Sequence, residues 1–144
     1  MATTREPDAA ATGLRDSLGR RVEYVRVSLT DRCNFRCVYC MPKEGRPFIP
    51  HERYITYEEL LRLARVLVSL GGVRYKITGG EPLVRKGAVG FIAALARVPG
   101  VSEVSLTSNG SLVENDLDAL AASGLRAINF SCDALDGNAF RRVT

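Results

Sequence analysis

Three of the four cysteines lie within eight residues of one another, in the segment "TDRCNFRCVYCMP". Cys33, Cys37 and Cys40 have the spacing Cys-x3-Cys-x2-Cys, which lets three thiolates surround one compact metal group. A cubane [4Fe–4S] cluster normally takes four protein thiolates, one on each iron. Three thiolates therefore leave one iron able to bind a substrate or cofactor. The spacing indicates metal chemistry with an open coordination position.

Two other uses of these thiols stay open. A structural zinc site needs four ligands. The remaining donors are His51, in a segment expected to be an exposed loop, and Cys132, which strand alternation places on an apolar face as a small buried residue. Disulfides are uncommon in a reducing cytosol, and the N-terminal segment lacks the apolar core of a secretory signal.

Strand and helix patterns alternate along the chain, which predicts repeated βα units with parallel strands and right-handed crossovers. One helix is predicted from the capping box of Thr56 and Glu59 to about Gly71, and the last segment, "NAFRRVT", also has a helical pattern. Two more helices are predicted at about Ala88 to Val98 and Leu112 to Ser123. The predicted strands are Val22–Thr30, Val73–Thr78, Glu103–Thr107 and Ala127–Asp133.

Each predicted strand has one apolar and one polar face. In the first strand, Val25 and Val27 alternate with Arg26 and Ser28. One interpretation is an open sheet with one face in water. The other is a curved, barrel-like sheet that encloses a polar ligand, since a closed barrel without one fills its interior with apolar side chains. The cysteine segment follows the first strand, at the edge where barrels carry active sites, and this favours the second interpretation.

The cysteine pattern, with the aromatic Tyr39 directly before the last cysteine, resembles the signature of the radical S-adenosylmethionine (SAM) superfamily. The resemblance implies that Cys33, Cys37 and Cys40 hold a [4Fe–4S] cluster whose open iron is chelated by the methionine end of SAM. It also implies that an electron from the reduced cluster cleaves SAM. The 5′-deoxyadenosyl radical released then abstracts a hydrogen atom from the substrate.

A second motif, "ITGGEP", directly follows the second predicted strand. Gly79 and Gly80 can let the backbone approach a ligand closely, and Glu81 can accept a hydrogen bond from an ammonium group. Alone, this sequence is a common turn. After the cysteine motif it resembles the superfamily's site for the methionine amino group, which implies that Gly79, Gly80 and Glu81 bind SAM.

Residues from about Leu18 to Thr144 resemble the N-terminal part of the GTP 3′,8-cyclase family of molybdenum cofactor biosynthesis. The motifs that carry this resemblance are "TDRCNFRC", "CMPKEG", and "SNG" followed by "SCDAL". It implies a lyase that uses the radical to start the cyclisation of GTP. By position, the implied SAM contacts are Tyr39, Gly80 and Ser131, and the implied GTP contacts are Arg26, Lys76 and Thr107.

The chain departs from the family pattern in two positions and in length. Lys76 stands where the family usually has arginine, which keeps the charge but loses the bidentate fork. Cys132 stands where the family often has leucine. We expect an α/β fold, a partial TIM-like (βα) barrel of the radical SAM type truncated at about four βα units. Residues 1–18 are expected to be a flexible tail and 19–144 the N-terminal part of the core domain.

The resemblance implies further components outside this chain. The family carries a second [4Fe–4S] cluster in a C-terminal domain, and the four cysteines here provide only the first, so we expect an incomplete fragment that does not convert GTP alone. A low-potential electron donor is also implied, and a homodimer stays open. Because the N-terminal segment has no export signal, we expect a cytoplasmic protein.

Composition agrees with a globular protein that binds neither nucleic acid nor membrane. The 144 residues carry a net charge of +4, are 46% hydrophobic, and contain no apolar run near the roughly 20 residues of a membrane span. Two alternative functions remain at this stage. One is another radical SAM enzyme, such as a peptide-modifying maturase, and the other is a non-catalytic module that binds a metal or an iron–sulfur cluster.

Overall fold

The computed structural model describes residues 13–42 and 44–144. Most of the predicted N-terminal tail, residues 1–12, lies outside the described residues. Residues 16–20 form a hydrogen-bonded turn in which the Asp16 carboxylate accepts from Arg20, and just before it Leu14 N–H donates to the Leu70 carbonyl (2.7 Å). This turn places the start of the described chain beside the end of the first long helix.

Four parallel strands form one sheet in the order of the sequence. Adjacent strands are in register along most of their length, with Arg26 opposite Lys76 and Thr107 opposite Asn129. All four strands therefore end at the same edge of the sheet. The strands are β1 (Tyr24–Ser28), β2 (Arg74–Thr78), β3 (Glu103–Ser108) and β4 (Ala127–Phe130).

The helices follow the predicted alternation. In the first, the predicted capping box is present: the Thr56 hydroxyl accepts from Glu59 N–H, and the Glu59 carboxylate accepts from Thr56 N–H. The predicted third helix is shorter than expected because its first turn, Val113–Asp116, is a 3₁₀ helix. The α-helices are α1 (Tyr57–Ser69), α2 (Ala88–Ala96), α3 (Leu117–Ala122) and α4 (Gly137–Val143).

The core lies between the apolar face of the sheet and helices α1, α2 and α3. Ile77 and Leu106 of the sheet and Ile92 and Leu95 of α2 are fully buried. Tyr75 is also buried and its hydroxyl donates to the Ala64 carbonyl of α1 (3.0 Å), while its burial raises the pKa of the phenol. Since these three helices pack on the apolar face, the polar face is free to line a site. Together with the four parallel strands, this packing confirms the predicted partial TIM-like α/β fold.

Two sequence predictions about β4 and its cysteine are wrong. The strand ends at Phe130 rather than Asp133, and Phe130 itself is 58% exposed. Cys132 therefore lies beyond the strand and is exposed, not buried on an apolar face. Its thiol contacts the Ala134 carbonyl (3.4 Å) within the following turn. Strand alternation places a residue on a face only where the strand continues, and here it does not.

Within residues 13–42 and 44–144, no helix is both long enough and apolar enough to cross a bilayer. The longest described helix, α1, has 13 residues and one polar face.

Candidate metal and cofactor site

Four loops meet at the carboxyl edge of the sheet, one after each strand. They enclose a cavity of about 210 Å³. Because parallel strands end together, residues distant in the sequence converge at this edge. The cavity is lined by Cys33, Phe35, Cys37, Tyr39, Cys40, Thr78, Gly79, Gly80, Thr107, Ser108, Asn109 and Ser131.

All three clustered cysteines line this cavity as free thiols. Cys37 begins a tight turn, since its carbonyl accepts from Cys40 N–H (2.9 Å) and Met41 N–H (3.0 Å). The turn brings Cys37 and Cys40 to the same side of the loop. Cys33 Sγ accepts from Phe35 N–H (3.4 Å) in the preceding turn. The loop thus presents three thiols to one cavity through local backbone hydrogen bonds.

All three thiols that line the cavity come from the single loop after β1. Among the described residues, no group of three or more His, Cys, Asp or Glu side chains is placed to hold a single metal ion. In a [4Fe–4S] cluster each cysteine binds a different iron, so its thiolates are spread around the cubane. His51 and Cys132, the other zinc ligands that the sequence offers, do not line the cavity. Three thiols at one cavity suit a cluster with an open iron, whereas a structural zinc site would lack its fourth ligand there.

The Gly-Gly-Glu segment is bonded to the start of the cysteine loop. Gly80 N–H donates to the Thr30 carbonyl and Glu81 N–H donates to the Arg32 carbonyl, both at 2.8 Å. A Cβ on Gly80 would lie 2.3 Å from the Arg32 carbonyl oxygen. The glycine is thus required by contact between two loops of the protein, in addition to any approach to a ligand.

Glu81 does not line the cavity. Its side chain is fully buried, and its carboxylate accepts hydrogen bonds from Leu83 N–H (3.1 Å), the Ser108 hydroxyl (3.0 and 3.1 Å) and Asn109 N–H (2.7 Å). Burying a carboxylate is costly unless it is hydrogen-bonded. The bonds from Ser108 and Asn109 connect the loop after β2 with the end of β3 and the loop that follows it, so the carboxylate fixes the shape of the site.

Tyr39 connects the cysteine loop with the loop after β4. Its hydroxyl donates to Asp133 Oδ2 (2.6 Å), and this bond raises the pKa of the Tyr39 phenol above its ordinary value. Nearby, Phe35 contacts Phe140 of α4 edge to face, with ring centroids 5.8 Å apart, and Val38 N–H donates to the carbonyl of the last residue of α4 (2.9 Å). The loop is therefore held from its far side by the fourth βα unit.

Asp31 holds the long connection before α1 against the cysteine loop. Its carboxylate accepts hydrogen bonds from the Tyr54 hydroxyl and from Ile49 N–H (2.8 Å). Both bonds lower the pKa of Asp31, and the bond from Tyr54 has the larger effect. The buried Thr30 hydroxyl donates to the same phenol oxygen (3.2 Å) and accepts from Arg32 N–H (3.1 Å). One phenol thus links two consecutive residues ahead of Cys33.

The structure separates the predicted SAM contacts from most of the predicted GTP contacts. Tyr39, Gly79, Gly80 and Ser131 line the cavity, as does Thr107. Arg26 and Lys76 are opposite each other in the middle of β1 and β2, on the same face of the sheet as Thr107 but further from its carboxyl edge. They do not line the cavity, and Arg26 also borders a separate groove of about 230 Å³ beside α1.

Four lining residues were assigned no role from the sequence: Phe35, Thr78, Ser108 and Asn109. Thr78 could have been found, because it continues the polar alternation of β2. Asn109 stands in the "SNG" segment, whose glycine and polar residues indicate only a turn. Its proximity to Cys33 depends on the register of three strands and could not be read from the sequence.

A family model described as the radical SAM superfamily matches residues 27–144, which include all four loops of the cavity. The chain belongs to the radical SAM superfamily.

Individual relatives refine this assignment. The chain is 45% identical to a GTP 3′,8-cyclase of Thermodesulfovibrio yellowstonii and 48% identical to one of Peptoclostridium acidaminophilum, over 91% of its own length in both cases. It covers 41% and 40% of those proteins, so it spans about two fifths of the length of the curated relatives it matches.

Among solved structures, this radical SAM chain is similar to BtrN in complex with AdoMet and 2-DOIA. The TM-score is 0.60 at 22% identity, over 86% of this chain and 51% of BtrN. An open conformation of BtrN matches with a TM-score of 0.59 at 21% identity. At this identity the likeness concerns the fold, and it agrees with the parallel sheet and one-sided helices described above.

The loop contact at Gly80 can be tested by alanine substitution. In Gly80→Ala the new methyl group meets the Arg32 backbone, which cannot swing aside, so we expect a loss of about 1–3 kcal/mol in the free energy of unfolding. Gly90→Ala is the matched control. Gly90 lies in α2 with open space around its Cβ position, and a gain of up to about 1 kcal/mol is expected. Urea unfolding measures the free energy of unfolding of both variants. Equal changes in the same direction would contradict a special role for the contact between Gly80 and Arg32.

The role of Tyr54 can be tested through the titration of Asp31. A lowered pKa in the folded state contributes stability above the unfolded-state pKa, near 4, and this contribution is lost as the pH falls through the folded-state value. In Tyr54→Phe we expect the pKa of Asp31 to rise toward its ordinary value. The carboxyl ¹³C chemical shift reports it. Tyr24→Phe, at an exposed residue of β1, is the control, and an unchanged Asp31 titration in Tyr54→Phe would rule out the link.

Proposed function

We propose that this chain is the cluster- and SAM-binding part of a GTP 3′,8-cyclase. The observation that carries the proposal is the 45–48% identity, over nine tenths of the chain, to relatives of that name. The cavity supports it, since it gathers the three thiols, the glycine pair and two polar strand-end residues, Thr107 and Ser131. Cys33, Cys37 and Cys40 would hold the cluster.

Held by Cys33, Cys37 and Cys40, the cluster would supply the electron for the reductive cleavage of SAM, the radical chemistry by which a hydrogen atom would be removed from GTP. The backbone of Gly79 and Gly80 would receive the methionine end of SAM beside the cysteines. Ser131, on the loop after β4, would contact the rest of this cofactor. Tyr39 would form part of the wall next to Cys40, held in place by Asp133.

The cations on the polar face support an anionic substrate. Arg26 and Lys76 are cross-strand neighbours, and among the described residues neither forms a salt bridge. Two adjacent like charges repel each other, so a triphosphate between them would relieve the repulsion. Thr107 lies further toward the carboxyl edge and would contact the substrate between the cations and the cluster.

The cavity of about 210 Å³ is smaller than the roughly 300–1,000 Å³ of an ordinary ligand pocket. We propose that the described loops enclose only part of the space for SAM and GTP. Completing the reaction would need the remaining length found in the relatives, a second cluster and a low-potential electron donor. This 144-residue chain would accordingly bind its cluster without converting GTP.

Anaerobic reconstitution with iron and sulfide tests the cluster assignment. The wild-type chain is expected to take up roughly four irons, as one [4Fe–4S] cluster, and SAM is expected to alter the electron paramagnetic resonance spectrum of the reduced cluster. Serine in place of Cys33, Cys37 or Cys40 should abolish uptake. Cys132→Ser is the matched control and should retain it, because Cys132 lies outside the cavity. Tight binding of zinc instead, or equal loss in all four variants, would refute the assignment.

Calorimetric titration with GTP tests the substrate class. Lys76→Ala removes a charge from the polar face and is expected to weaken GTP binding roughly ten- to hundredfold. This factor corresponds to the free energy of one charge-assisted hydrogen bond. Lys86→Ala removes the same charge at an exposed position outside the site and should have no effect. Lys76→Arg should retain binding. Equal affinities for wild type and Lys76→Ala would exclude Lys76 from the GTP site.

A further inference from the structure

A closed ring of three polar side chains lies beside the first cluster cysteine. Asn109 Nδ2 donates to Asn34 Oδ1 (2.9 Å), Asn34 Nδ2 donates to the Ser111 hydroxyl oxygen (2.8 Å), and that hydroxyl donates to Asn109 Oδ1 (2.7 Å). Asn34 comes from the cysteine loop and the other two from the loop after β3. The ring therefore joins these loops through side chains alone.

The ring fixes which end of the Asn109 amide faces the cavity. Ser111 N–H can only donate, and it points at Asn109 Oδ1 (3.0 Å). The oxygen is thus turned toward Ser111 and the nitrogen toward the cysteine loop. One hydrogen of this nitrogen goes to Asn34, and the other is directed at Cys33 Sγ, at 3.8 Å from Nδ2. Both acceptor sites and both donor hydrogens of the amide are used.

The backbone of Asn109 is fixed as firmly as its side chain. Its N–H donates to the fully buried Glu81 carboxylate (2.7 Å), which also binds the adjacent Ser108 hydroxyl. Ser108 Oγ in turn accepts from Gly110 N–H (3.0 Å). A donor that is held at both its backbone and its amide oxygen does not need to reorganise when charge on the nearby sulfur changes.

We propose that Asn109 tunes the reduction potential of the cluster by donating an N–H···S hydrogen bond to the Cys33 thiolate. Hydrogen bonds to the ligand sulfurs are among the factors that set iron–sulfur potentials. Reduction adds one electron, part of whose charge resides on the sulfurs. A donor at Cys33 stabilises the reduced state more than the oxidised state and raises the potential. Asn109 adds to the local donor Phe35 N–H, which also points at Cys33 Sγ.

This inference rests on the cluster assigned in the proposed function, and a potential measurement separates the two. Asn109→Leu keeps the size of the side chain and removes the donor. At the wild-type midpoint potential we expect the ratio of reduced to oxidised cluster to fall about tenfold, equivalent to a downward shift of about 59 mV for a one-electron couple. Asn109→Asp should shift the midpoint further in the same direction, because its carboxylate adds negative charge.

The measurement is an electron paramagnetic resonance titration of the reconstituted 144-residue chain with dithionite and mediator dyes, after iron and sulfide are matched between variants. Asn115→Leu and Asn115→Asp are the controls. Asn115 is exposed in the following 3₁₀ helix and does not line the cavity, so these changes should leave the midpoint unchanged. A merely structural role for Asn109 would alter cluster content without moving the midpoint of the clusters that remain.

A wild-type midpoint in Asn109→Leu with full iron content would overturn the inference while leaving the cluster assignment intact. If Asn109→Leu fails to retain iron, the midpoint potential of Ser111→Ala tests the inference instead. Ser111 is exposed, and this substitution removes one of the two hydrogen bonds that Ser111 donates to the Asn109 amide oxygen. A smaller downward shift of the midpoint potential is expected. No shift in Ser111→Ala would then overturn the inference. Failure of the wild-type chain to take up any cluster would reject both proposals together.

Discussion

The backbone contact between Gly80 and Arg32 is the constraint on which the rest of the site depends. It forms only because Gly80 has no side chain, and it is secured by two hydrogen bonds from the Gly-Gly-Glu backbone to Thr30 and Arg32. The loop that follows β1 is long and has no regular structure around its cysteines. Pairing its first residues with the end of β2 gives that loop a fixed starting point, and the thiols follow within a few residues.

From this point the site is assembled by connections between neighbouring loops. Glu81 connects the loop after β2 with the loop after β3, and Tyr39 connects the cysteine loop with Asp133 after β4. Glu81 is fully buried, so its charge must be compensated by the donors around it. The Gly-Gly-Glu segment therefore has a divided role. Its glycines line the cavity, whereas its acid organises the protein behind the cavity wall.

The sequence predicted the elements that depend on local patterns. The alternation of polar and apolar residues located all four strands, and the Thr56–Glu59 capping box located the start of α1 correctly. It predicted poorly where structure depends on what packs nearby. β4 ends at Phe130, and Cys132 is exposed, because alternation does not reveal where strand pairing stops. Asn109 was missed because its neighbour Cys33 is brought to it only by sheet register, which the sequence does not reveal either.

The contacts between the cysteine loop and α4 have a consequence for the order in which the protein is made. Phe35 contacts Phe140, and Val38 is bonded to Val143, so the loop's outer support is translated last among the described elements. At about 5–20 residues per second, a ribosome needs roughly 5–20 s to pass from Val38 to Val143. During that interval the three thiols have emerged but lack their final support. The cysteine loop can therefore reach its final conformation only after the fourth βα unit has left the ribosomal exit tunnel.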